Sequence, residues 1–135
     1  VGTNKTKFDK AKEDHQSELI EDYIEEIAEL YQLKGEVRSA DLAERLGVSP
    51  AAVSKFLNRL KQEQLIEAKP YRGIFLTASG KELAKKVTHR HNLVYQLLIT
   101  LGVSERIAQA DTEGIEHHCS NETVRAIELF LDTKK

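Results

Sequence analysis

One cysteine, Cys119, two prolines, no methionine and no tryptophan occur in a chain of 135 residues. A lone cysteine leaves no internal disulfide framework and no cysteine-rich zinc site, so any metal must be held by oxygen and imidazole. No apolar run approaches the ~20 residues of a membrane-spanning helix, and no signal-peptide pattern opens the chain. These absences read as a cytoplasmic protein with no membrane partner. HExxH, GxSxG and a phosphate-cradling glycine loop are also missing, so neither enzymatic turnover nor a small organic substrate is expected.

What is present is an ordinary globular balance of 40% hydrophobic and 31% charged residues, with a formal net charge of -2 that conceals polarity along the chain. From Ser49 to Arg72 five basic residues (Lys55, Arg59, Lys61, Lys69, Arg72) face two acids, Glu63 and Glu67. From Glu105 to Glu128 six acids oppose only Arg106 and Arg125. One segment is suited to polyanions and the other to cations.

Apolar periodicity organises the chain. Residues 1–16 are polar and lysine-rich and are expected to form a flexible arm. From Ser17, Leu19, Ile20, Tyr23, Ile24, Ile27, Leu30 and Tyr31 mark an amphipathic helix. Two shorter helical patterns follow, split by Gly47, with Ser49 as N-cap and Pro50 at the first helical position. Together they form a helix-turn-helix. "LIEAK" and "IFLT" flank "PYRG" as a small hairpin, a wing. Ser79 and Glu82 suggest a capping box for a long helix, whose stripe runs Leu83, Val87, His91, Val94, Leu98 and Leu101 and ends at Gly102. Helices over roughly 104–118 and 120–131 complete the chain. The expected fold is mainly α with a small β-hairpin: a winged helix-turn-helix over 17–77, then a helical domain over 78–135.

In a helix-turn-helix the second helix enters the major groove, its N-terminal residues meeting base edges and basic side chains meeting phosphates. Pro50, Ala51, Ser54, Lys55, Asn58, Arg59 and Lys61 occupy those places, and Tyr71 and Arg72 at the hairpin tip are placed to reach the backbone or minor groove. The plainer alternative is ordinary helical packing with a solvated basic face.

"DTEGIEHHCS", Asp111 to Ser120, gathers three acids, two histidines and the cysteine. At about 100° per residue, Glu113, Glu116 and His117 share one helix face, while Ile115 and His118 point elsewhere. Two carboxylates on adjacent turns repel one another, and a divalent cation between them resolves the conflict. Three ligands are too few for an octahedral ion. Asp22 and Glu25 lie three residues apart off the apolar stripe of the first long helix, where a solvated acidic face is the alternative. His91 interrupts a core stripe, where a satisfied core histidine is the alternative.

The stretches "LIEDYIEEI", "ADLAERLGVSPAAVSKFLNRL", "YRGIFLTASG", "RHNLVYQLLITLGV" and "DTEGIEHHCS" resemble the manganese-responsive repressors of the diphtheria toxin repressor family, in particular its short branch. The resemblance covers roughly Glu18 to Leu131. It implies that Asp22, Glu25, His91, Glu113, Glu116 and His117 bind a pair of Mn(II) ions, with Glu113 and Glu116 able to bridge. In the family's iron-responsive branch a methionine and a cysteine replace the residues matching Asp22 and Glu113. Hard carboxylates suit Mn(II), with Fe(II), Zn(II) or Cd(II) as substitutes. Long members carry a third, SH3-like domain outside the matched stretch, and functions attributed to it are not expected to transfer.

The resemblance further implies a homodimer through the helical domain and a palindromic operator in double-stranded DNA. Metal would join the two domains, set the spacing of two reading heads and switch on repression of manganese uptake genes. Two other classes of function compete. A metal-independent winged-helix regulator predicts operator affinity indifferent to chelator. A small metallohydrolase needs a substrate cleft and a positioned acid or base.

Overall fold

The computed structural model describes residues 6–69 and 73–135. Six helices and one hairpin follow in the order α1 (Lys7–Lys34), α2 (Ser39–Leu46), α3 (Pro50–Gln62), β1 (Ile66–Lys69), β2 (Gly73–Leu76), α4 (Ala78–Thr100), α5 (Glu105–His117) and α6 (Asn121–Asp132). The mainly helical class with one hairpin agrees with the expectation. Two compact units divide the chain, residues 1–85 and 86–135, with the division inside α4.

In the first unit the α1 stripe does what its spacing requires: Tyr23, Ile24, Ile27 and Leu30 are buried. Val53, Leu57 and Leu60 of α3 join them in one core with Leu42, Ile66 and Ile74, and the Tyr23 and Phe56 rings stack at 4.5 Å. Tyr31 departs from the expected stripe and is exposed, in the last turn of the helix. α1 also starts earlier than its apolar period. Residues 7–16, expected in a flexible arm, are helical, because Thr6 and Asp9 form a reciprocal capping box that starts the helix without apolar help.

The helix-turn-helix is locally encoded. α2 ends at Gly47 in the left-handed conformation, φ 66°, and the Ser49 hydroxyl accepts from Ala52 N at 3.1 Å, with Pro50 opening α3. Arg45 ties α2 to α1 through Glu26 at 2.7 Å and Glu29 at 3.0 Å. Asp41 accepts from Arg38 N at the start of α2 and from Lys34 Nζ at 3.0 Å. Lys34 holds the Asp41 carboxyl below the usual carboxylate range.

β1 and β2 pair antiparallel, Ile66 with Leu76 through Lys69 with Gly73. Pro70, Tyr71 and Arg72, the expected wing tip, lie outside the described residues. α4 is not capped by Ser79, which lies inside the helix. Thr77 takes that place: its hydroxyl accepts from Gly80 N at 3.1 Å and donates to Gln64 O at 2.7 Å, while its N–H donates to Leu65 O at 3.0 Å. The α3–β1 turn is thereby fastened to the first turn of α4. The fastening is tight enough to require glycine, since a Cβ on Gly80 would lie 2.1 Å from Leu65 O.

The second unit has fewer buried apolar side chains. Among the described residues these are Val87, Val94 and Ala108, accompanied by buried Arg90, Thr112 and Glu116. Leu101, expected in the α4 stripe, is 65% exposed, because it follows the helix end at Thr100. No helix of the described residues is long and apolar enough to cross a membrane.

Two outcomes follow for the first unit. Gly80→Ala should destabilise the protein by about 1–3 kcal/mol, the range for overpacking, read as a lower urea midpoint at unchanged m-value; an unchanged midpoint would refute the tight contact. Asp41→Asn should flatten the acid limb of the stability profile. A carboxylate with a lowered folded pKa contributes stability above its unfolded value, which is lost as pH falls through the folded value. Unfolding curves collected between neutral and acidic pH on both proteins check this.

Candidate metal centre and nucleic-acid face

α5 projects its acids as helical spacing dictates. One ligand atom each from Glu113, Glu116 and His117 lie within 4.8 Å of one another. His117 Nε2 is 3.3 Å from Glu116 Oε1, and the two side chains are 2% and 0% exposed. α4 supplies the facing side chains. His91 Nδ1 lies 3.4 Å from Glu113 Oε1, and Arg90 Nε lies 3.4 Å from Glu116 Oε2. His118 follows the helix end and is exposed.

The donors fit a divalent cation. His91 Nδ1 is buried and makes no hydrogen bond among the described residues, although a buried ring nitrogen ordinarily has a partner. Glu113 and Glu116 bring two carboxylates to one small volume, an arrangement that favours a cation. The donor atoms are oxygen and imidazole nitrogen, which suit Mn(II), Fe(II) or Zn(II) better than soft-ligand metals. Cys119 is turned to other use: its thiol donates to Ile115 O at 3.2 Å.

Asp22 and Glu25 belong to the first unit, on the half-buried flank of α1. Sequence reasoning missed Arg90. The signal existed, for Leu83, Val87, Arg90 and Val94 step by 4, 3 and 4, a core row in which an arginine is as conspicuous as His91.

On α3 the division between faces is complete. Val53, Leu57 and Leu60 are buried, whereas Pro50, Ala51, Ser54, Lys55, Asn58, Arg59 and Lys61 are all exposed. Ala51, Ser54, Lys55 and Asn58 form a continuous strip at i, i+3, i+4 and i+7. Arg59 has partners within the unit, donating to Gln16 Oε1 at 3.1 Å and pairing with Glu63 at 3.5 Å. This contact joins the early turns of α1 to α3.

Residues 15–74 match the family model for the iron dependent repressor N-terminal DNA binding domain, and residues 77–135 match that for the iron dependent repressor metal binding and dimerisation domain. The transcriptional regulator MntR of Escherichia coli O157:H7 is 50% identical over 123 residues, covering 91% of this chain and 79% of that protein. The HTH-type transcriptional regulator MntR of Bacillus subtilis is 43% identical over 101 residues, covering 75% of this chain and 71% of that protein. Among solved structures, the manganese regulator SloR superposes with a TM-score of 0.74 at 29% identity, covering 84% of this chain. The chain spans about half of that longer one, 53%.

Removing His117 should abolish the centre while leaving the fold. In a room-temperature electron paramagnetic resonance titration, wild-type protein should suppress the six-line signal of aqueous Mn(II), and His117→Ala should suppress it at least about 10-fold more weakly at equal helix content. Equal suppression by both would remove His117 from the ligand set.

Proposed function

The chain belongs to the iron dependent repressor family, also named for the diphtheria toxin repressor, and from that membership we propose that it is a DNA-binding transcriptional repressor activated by Mn(II), acting in the cytoplasm on genes of manganese uptake. The observation that carries the metal part is the convergence of Glu113, Glu116 and His117 on one donor volume. The proposed ligand set is Asp22, Glu25, His91, Glu113, Glu116 and His117, holding two Mn(II) ions per protomer, with Fe(II), Zn(II) and Cd(II) as substitutes. Asp22 and Glu25 enter this set through the resemblance carried by "LIEDYIEEI".

A bound divalent cation supplies the positive charge that clustered carboxylates lack. Glu113, half exposed, is the ligand open to exchange, while buried Glu116 and His117 set the geometry. The exposed strip of α3, with Tyr71 and Arg72 from the sequence between β1 and β2, reads DNA in this proposal. Arg59 then exchanges Gln16 and Glu63 for phosphate. Exposed Ile107, Ile115, Leu129 and Phe130 of the second unit support a homodimer, and two-fold symmetry supports a palindromic operator. The working division is a DNA-reading domain over 17–77 and a metal-binding and dimerisation domain over 78–135. Ligands drawn from both domains would let metal restrict the spacing of the two reading heads. The role is regulatory binding, without turnover.

Duplexes selected from random-sequence DNA in the presence of Mn(II), then measured by fluorescence anisotropy with Mn(II) or with chelator, test the reading. Metal should tighten binding by about 5- to 150-fold, the usual span of allosteric coupling. Equal affinity in chelator would leave a metal-independent regulator. Glu113→Cys should move activation from Mn(II) towards the softer Cd(II) and Zn(II), and undiminished Mn(II) activation in that variant would contradict the role of Glu113.

A further inference from the structure

The buried face of α4 carries a cation that the ligand set leaves out. Arg90 is 7% exposed, and Glu116 is fully buried. The two oxygens of Glu116 have different neighbours: Oε2 lies 3.4 Å from Arg90 Nε, and Oε1 lies 3.3 Å from His117 Nε2. Arginine keeps its charge throughout the accessible pH range and presents donors in a rigid planar fork, unlike the compact ammonium of lysine. At 3.4 Å the Arg90–Glu116 contact is an ion pair rather than a hydrogen bond, and losing one partner of a buried pair leaves the other charge uncompensated.

We propose that Arg90 is a positioning residue of the metal centre, holding Glu116 through Oε2 so that Oε1, beside His117 Nε2, is the oxygen presented to a divalent cation. Arg90 touches no metal in this arrangement. It acts through Glu116, limiting that carboxylate to one donor oxygen and fixing the direction from which it binds. The inference rests on the metal-centre reading above. It adds a residue outside the donor set, of the outer-shell kind whose loss typically weakens metal affinity about 10- to 100-fold.

A charge-conserving variant separates orientation from electrostatics. Arg90→Lys keeps one positive charge and loses the fork. Mn(II) affinity is measured on the full chain by electron paramagnetic resonance for wild type, R90K, E116Q and the R90K/E116Q double variant, with helix content checked by circular dichroism. R90K should weaken binding at least about 10-fold in the wild-type background and by less than about 2-fold in the E116Q background, because the carboxylate it orients is already gone. Equal losses in both backgrounds mean a merely structural role and overturn the proposal, as does wild-type affinity in R90K. Should R90K fail to fold, R90Q, a neutral donor on a shorter stem, carries the same four-way comparison with the same two overturning results. No Mn(II) binding by wild type would instead defeat the metal-centre reading itself.

Discussion

A carboxyl group removed from water, as that of Glu116 is, imposes conditions on everything around it. Burying such a group is costly unless opposite charge and hydrogen-bond donors meet it in good geometry. The second unit supplies Arg90 on one side and His117 on the other, with Glu113 and His91 beside them. To do so it gives up apolar positions. Arg90 takes a place in the buried row of α4 that hydrophobic spacing reserves for a side chain like Val87 or Val94. The unit is thus organised around charge balance more than around oil.

The first unit is its opposite. A continuous apolar core links α1, α2, α3 and the hairpin, and polar groups there are caps, latches and surface pairs. α3 shows the economy of this arrangement: one face holds the helix in the core, so the other is left for external contacts. The Thr77 latch then joins the hairpin and α4 to the same body through backbone groups of Gln64 and Leu65.

Elements with a strong apolar period or a complete turn signal were legible in the sequence. α3 begins where Ser49 and Pro50 place it, and the hairpin lies where its β-prone runs do. Two of the misreadings share a cause, which is that hydrogen-bonding side chains outranked periodicity. Thr6 and Asp9 begin α1 at Lys7, well before its apolar stripe opens at Leu19, and Thr77 displaces Ser79 because it has partners on both the turn and the helix. Helix geometry alone brought Glu113, Glu116 and His117 together and set His118 aside. Asp22 and Glu25 could not be separated from the other acids of α1 by spacing, since a uniformly acidic flank carries no directional signal. Arg90 escaped because an arginine in a basic run is easily taken for a surface residue.

The small apolar core of the second unit also bears on how long the chain survives. Units with little buried hydrocarbon lie towards the low end of local stability, where opening exposes backbone to proteases. A cation that binds only the closed form shifts that opening by mass action, by about 2.7 kcal/mol at a hundred times its dissociation constant. Under the proposed metal binding, the abundance of such a protein would follow the same cation, so that lifetime would become a second variable, alongside affinity, through which ion supply is registered.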